Sequence, residues 1–136
     1  EHLLRWSEGA ALVATGSPYE PVAMRGGMQR ISQANNVFIF PGLGLGTIVS
    51  GASRVTDDMI NAAAMALAHA LLPEELAGRC LMPEVKRLWE VCGEVGVAVA
   101  LQAAAEGVAP RCSEDELRAR LEAYRWRPVY PTIVEA

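Results

Sequence analysis

From about Glu84 to Glu106 this chain carries an apolar stripe that dictates most of what it can become. Val85, Leu88, Trp89, Cys92, Val95, Val99 and Ala103 recur at steps of three or four residues, the spacing of one helical face. Gly107 follows where a helix would reverse into a left-handed cap. A helix with so long an apolar face must be covered by other elements. The flanking sequence supplies them: small and apolar residues from Leu43 to about Ser53 predict a closely packed helix. Thr56 is an N-cap with Asp57 and Asp58 in the first turn, where the helix dipole favours acids, and Ile60, Ala63, Leu67 and Leu71 continue at helical spacing to Pro73. Pro73-Glu74-Glu75-Leu76 predicts one short extra turn closed by Gly78. Ser113-Glu114-Asp115-Glu116 opens a last helix to about Tyr124, and the prolines after Trp126 impose an extended tail to Pro131.

Strands are scarce by comparison. Ala11-Leu12-Val13-Ala14-Thr15 reads as a buried strand stopped by Gly16-Ser17-Pro18. Pro21 through Gly27 reads as loop, and Met28 to Gln33 as a short extended piece. Val37 to Phe40 has strand-like residues but equally suits a first helical turn meeting Pro41, and periodicity leaves both open. One clear strand cannot close a sheet of ordinary size. The chain therefore reads either as a mainly helical domain or as the tail end of a larger α/β domain, and the second fits better.

At 136 residues, 51% hydrophobic and 21% charged, the chain can bury a sizeable core and does not read as disordered. Its net charge of -4 and its scattered arginines, mostly interleaved with glutamates, argue against nucleic acid as a partner. No apolar run is expected to reach the roughly 20 residues of a membrane span. The segment Glu1 to Trp6 lacks the basic start and apolar core of a leader. Cys80, Cys92 and Cys112 are far apart and odd in number, so idle thiols in a reducing cytoplasm are expected instead of a disulfide framework or a zinc site.

Several segments invite a functional reading. Asn35 and Asn36 stand just before an uncharged apolar run, and such amides offer donors and acceptors without adding charge. They equally suit turn residues opening a buried element. Gly16-Ser17, at the carboxyl end of the best strand, lies where open α/β sheets bind ligands. Gly42-Leu43-Gly44-Leu45-Gly46 resembles a dinucleotide fingerprint, but Thr47 and Val49 occupy positions that need a small residue, and close helix packing explains the glycines more simply. Asp57 and Asp58 suit dipole compensation better than a metal pair, and His69 has no orienting partner in view. No serine is accompanied by a histidine and an acid, and Lys86 is the sole lysine. The residues suggest binding groups without a general acid–base set.

Four stretches together carry a resemblance. Ala11-Leu12-Val13-Ala14-Thr15-Gly16-Ser17-Pro18-Tyr19, Gln33-Ala34-Asn35-Asn36-Val37-Phe38-Ile39-Phe40-Pro41-Gly42, Arg54-Val55-Thr56-Asp57 and Trp126-Arg127-Pro128-Val129-Tyr130 resemble the C-terminal part of malic enzymes, the NAD(P)-dependent oxidative decarboxylases of malate. The match spans essentially all of residues 1–136, and Ala34 departs from the family's usual glycine. The resemblance implies an α/β fold, the C-terminal and mostly helical portion of a Rossmann-like NAD(P)-binding domain. It implies that Asn36 reaches the substrate carboxylate beside the nicotinamide ribose, with Asn35 as its supporting neighbour. Gly16, with Ser17, would lie along the cofactor cleft.

The same resemblance implies malate and pyruvate as substrate and product, NAD or NADP as cofactor, and Mg²⁺ or Mn²⁺ bound by ligands outside this chain. The family's catalytic tyrosine and lysine, its three acidic metal ligands and its true fingerprint belong upstream, and Tyr19 and Lys86 do not occupy those motifs. The expectation is thus a segment inactive alone, partnered by the remainder of the polypeptide in a cytoplasmic homo-oligomer. A non-catalytic helical interaction module and a piece of a malolactic enzyme stand as alternatives.

Overall fold

The computed structural model describes residues 1–126 and 129–130. Helices are the majority and strands are few. Helix α1 (His2–Trp6) leads into two small sheets made by β1 (Ala14–Thr15), β2 (Val22–Met24), β3 (Gly27–Gln29) and β4 (Ser32–Gln33). Strands β1 and β4 pair in parallel, with Ala14 opposite Ser32 and Thr15 opposite Gln33, while β2 and β3 form an antiparallel hairpin. A tight 3-10 turn at Asn36–Phe38 then leads into α2 (Phe40–Ser50), α3 (Asp57–His69), α4 (Pro73–Ala77), α5 (Leu88–Ala105) and α6 (Glu114–Tyr124).

Two expectations about the front half need correction. The segment from Pro21 to Gly27 is not loop throughout, because Val22 is buried with Leu4 and Ile31 and draws β2 into a hairpin. Tertiary burial outweighs the turn composition there. The run from Ala11 to Thr15 pairs only at Ala14–Thr15, since a lone short partner strand cannot hold more of it. The open question at Val37–Phe40 resolves as helix: Pro41 sits in the first turn of α2, where its missing N–H is not needed.

The helical half is built around α5. Its buried residues, Val91, Cys92, Val95, Gly96, Val97, Val99, Ala100 and Ala103, form a wider band than the stripe read from sequence. Val85 and Trp89 fall outside it and are about half exposed. Helices α2, α3 and α6 cover the band. The stripe of α3 is carried by Met59, Ala63 and Leu67, whereas Ile60 faces outward.

By length and composition alone, the helical stretch Val85–Ala105, 21 residues with mean hydropathy 1.3, is apolar enough to cross a membrane. That departs from the expected lack of any such run, and its cause is the crowding of α5 by three helices. Caps fall where the sequence puts them. The Thr56 hydroxyl accepts from the Met59 N–H at 3.1 Å, the Ser113 hydroxyl accepts from the Glu116 N–H, and Gly107 takes a left-handed φ of 72°. Of the tail, Trp126, Val129 and Tyr130 are exposed, and the rest of that expectation falls outside the described residues.

Candidate functional site

The parallel register decides where the polar segments meet. With Thr15 opposite Gln33, both strands end on the same side, and the Ala34 N–H donates to the Thr15 carbonyl at 2.9 Å. Gly16-Ser17 and Asn35-Asn36, apart in sequence, therefore emerge side by side beyond the carboxyl ends of β1 and β4. That edge is where ligands bind in open parallel sheets. The Gln33 amide donates to the Gly16 carbonyl at 3.4 Å, and the Thr15 hydroxyl donates to the Ser17 carbonyl at 2.8 Å, folding the turn back on its strand.

The two asparagines differ in what remains to them. The Asn35 side-chain oxygen accepts from the Val37 N–H at 3.0 Å and caps the 3-10 turn. Asn36 is exposed, and no described residue hydrogen-bonds its side-chain amide. Its two donors and its carbonyl oxygen are free to meet a ligand. Gly16 is exposed too, and a Cβ there would meet nothing within 4 Å, so backbone lies open to close approach. The chain from Ile31 to Ser53 carries no charge, so a carboxylate reaching this corner meets amide dipoles without a like charge on that segment.

Beneath the corner the packing is tight. Phe38 is fully buried in the helical core, and the Cys92 thiol faces the Val37 carbonyl at 3.7 Å. Burial pushes the Cys92 thiol up, against the opposing pull of Arg125, so it stays a neutral donor. All three cysteines are free. A Cβ on Gly42 would lie 2.6 Å from Val95 Cβ, and one on Gly46 would lie 2.4 Å from the Gly96 carbonyl oxygen. These glycines serve the α2–α5 contact, as helix packing predicts. Gly44 between them faces open space.

Other candidates do not join the corner. Asp57 and Asp58 occupy the first turn of α3, and His69 is exposed in its last turn. Among the described residues no three histidine, cysteine or acidic side chains gather in a way that could hold a metal ion. Sequence reasoning missed Gln33 as the link between the two polar segments. No local pattern pairs strands so far apart in the chain.

Comparison with known proteins meets this geometry from outside. The family described as malic enzyme, NAD binding domain, matches residues 1–104. An NAD-dependent malic enzyme of Pseudomonas syringae pv. tomato is 45% identical over 130 residues, covering 96% of this chain and 23% of its own length. One from Sodalis glossinidius is also 45% identical over the same share. The crystal structure of Entamoeba histolytica malic enzyme superposes with a TM-score of 0.63 at 25% identity, over 86% of this chain and 22% of that one. The chain thus spans about a quarter of the length of the curated relatives it matches. By motif, by sequence and by fold, it belongs to the malic enzyme family and carries part of that family's NAD-binding domain.

Proposed function

We propose that this chain forms one wall of the malate and cofactor cleft in an NAD-dependent malic enzyme, as the C-terminal, mostly helical portion of a Rossmann-like domain. The observation that carries the reading is the shared end of β1 and β4, which sets Gly16-Ser17 beside Asn35-Asn36. NAD, when bound, would take a hydride from the carbon bearing malate's hydroxyl, and loss of carbon dioxide would leave pyruvate. The chain's own part is to bind and orient. The Asn36 amide donates to a substrate carboxylate, and such a bond to a charged acceptor is worth roughly 1.5–3 kcal/mol. Asn35 holds the turn that presents Asn36, and Gly16 and Ser17 leave backbone accessible to the cofactor.

The described residues do not fit a divalent ion, so no step is assigned to a metal held by this chain. Its ligands and the proton-transferring groups belong to the remainder of the polypeptide, and the isolated chain is expected to turn over no malate. The names of the relatives favour NAD over NADP.

The test is Asn36→Ala in the full-length polypeptide. A fall in kcat/KM for malate of roughly 10- to 100-fold is expected, with the thermal midpoint unmoved. Unchanged kcat/KM would overturn the assignment.

A further inference from the structure

Glu75 is a carboxylate buried in α4, only 6% exposed, whereas the other acids among the described residues lie at or near the surface. It accepts four contacts. The Leu72 N–H donates at 2.9 Å, the Glu84 N–H at 2.8 Å and the Arg87 guanidinium at 2.8 Å, while an Arg30 nitrogen stands 3.6 Å away. The first three tie α4, the loop of residues 78–84 and the start of α5 into one unit. Arg30 belongs to the other half of the molecule, between β3 and β4.

Arg30 also donates to the Met82 carbonyl at 3.0 Å and toward the Cys80 sulfur at 3.1 Å. Ser32, wholly buried in β4, accepts from the Leu81 N–H at 2.8 Å and the Met82 N–H at 3.3 Å. Gln29 and Arg79 add bonds to the Gly78 and Ala10 carbonyls. All these bonds between residues 1–34 and the helical half land on residues 75–82. Ser32 stands three residues before Asn35 and directly beside Ala14.

We propose that Glu75 is a positioning residue: through Arg30 and the 78–84 loop it fixes strand β4, and with it the Asn35–Asn36 corner, against the helical half. This rests on the reading of that corner as the malate and NAD wall. The physical reason is the shortness of β4. A two-residue strand bonded along one side cannot hold its own height to a fraction of an ångström. A buried carboxylate with three close donors has little freedom left, because releasing any of them strands a charge away from water. Misplacement of about 1 Å by a change far from the chemistry can cost on the order of 100-fold in rate.

A double-mutant cycle in the full-length polypeptide tests it, with Glu75→Gln, Asn36→Ala and the pair. Glu75→Gln alone should lower kcat/KM for malate roughly tenfold. In the Asn36→Ala background the same change should cost less than about twofold, because the group it positions is gone, while the loss of thermal midpoint is equal in both backgrounds. A merely structural Glu75 gives the opposite: its kinetic cost carries over undiminished. That result, or no kinetic cost in either background, overturns the proposal. A silent Asn36→Ala would instead sink the assignment of the corner, and the inference with it. Should Glu75→Gln fail to fold, Ser32→Ala enters the same cycle from the far end of the brace, with the same expected and contrary results.

Discussion

In the helical half, a methyl group at Gly46 would sit 2.4 Å from a backbone oxygen of the neighbouring helix; in the strand half, one at Gly16 would touch nothing. The same residue type serves opposite ends. In α2 the missing side chain lets two backbones touch, and at the end of β1 it leaves space for something outside the chain. The cores differ in proportion. Among the described residues, the helical core gathers ten buried ones from Phe38 to Ala109, against three, Leu4, Val22 and Ile31, beneath the strands. Rigidity and openness are thus assigned to separate halves, and the candidate site lies at their seam.

The comparison breaks most severely at Phe38, which is fully buried where the site's turn enters the helical core. Phe38→Ala should destabilise the full-length polypeptide by about 3–5 kcal/mol in denaturant unfolding. A cost below about 1 kcal/mol would mean that the seam is not anchored from the helical side. Next come the glycines of α2. Gly46→Ala should cost about 1–3 kcal/mol, because the obstacle is the Gly96 backbone carbonyl and cannot swing aside. Gly44→Ala, two residues earlier on the open side, should instead stabilise by up to about 1 kcal/mol through helix propensity. Equal effects at the two positions would dissolve the distinction between packing and open glycines.

The smallest effect is electrostatic. The Arg118 guanidinium bonds both oxygens of Glu94 and holds its carboxyl below the usual range, against burial and the neighbouring Glu90. A lowered folded pKa gives stability that is full above the ordinary carboxylate range and lost as pH falls through the lowered value. Both side chains are partly exposed, so the contribution is small and screened by salt. Protection factors for amide exchange along α6, taken against the intrinsic rate at each pH, should therefore fall modestly on acidification, and Arg118→Met should remove that dependence. Its persistence in the variant would assign it to another group.

What was legible in the sequence was mostly local. Thr56, Ser113, Gly107 and Pro73 mark helix ends by bonds or backbone shapes that reach only a few residues. The choice of helix after Asn36 was not legible, because Val37 to Phe40 suits either state and burial of Phe38 decides it. Nor was the swap of Ile60 for Met59 on the inner face of α3, since a one-residue rotation leaves the spacing intact. For the candidate site, Gly16-Ser17 and the asparagine pair could each be picked out, the latter chiefly by family resemblance. Their adjacency could not, because it depends on β1 pairing with β4 across an intervening hairpin. Glu75 reads in sequence as an ordinary first-turn acid; only its burial marks it as different.

The contact of Gly42, Gly46 and Gly96 has a consequence for movement. Side chains packed against each other can exchange rotamers and let two helices slip, but a Gly46 backbone resting on the Gly96 carbonyl has nothing to exchange. Helices α2 and α5 must then travel as a single rod, with the turn at Asn36 fixed to its end. With β4 tied to the same half through Arg30 and Ser32, any closing around a ligand at this corner falls to whatever faces it, which meets a stop that does not yield.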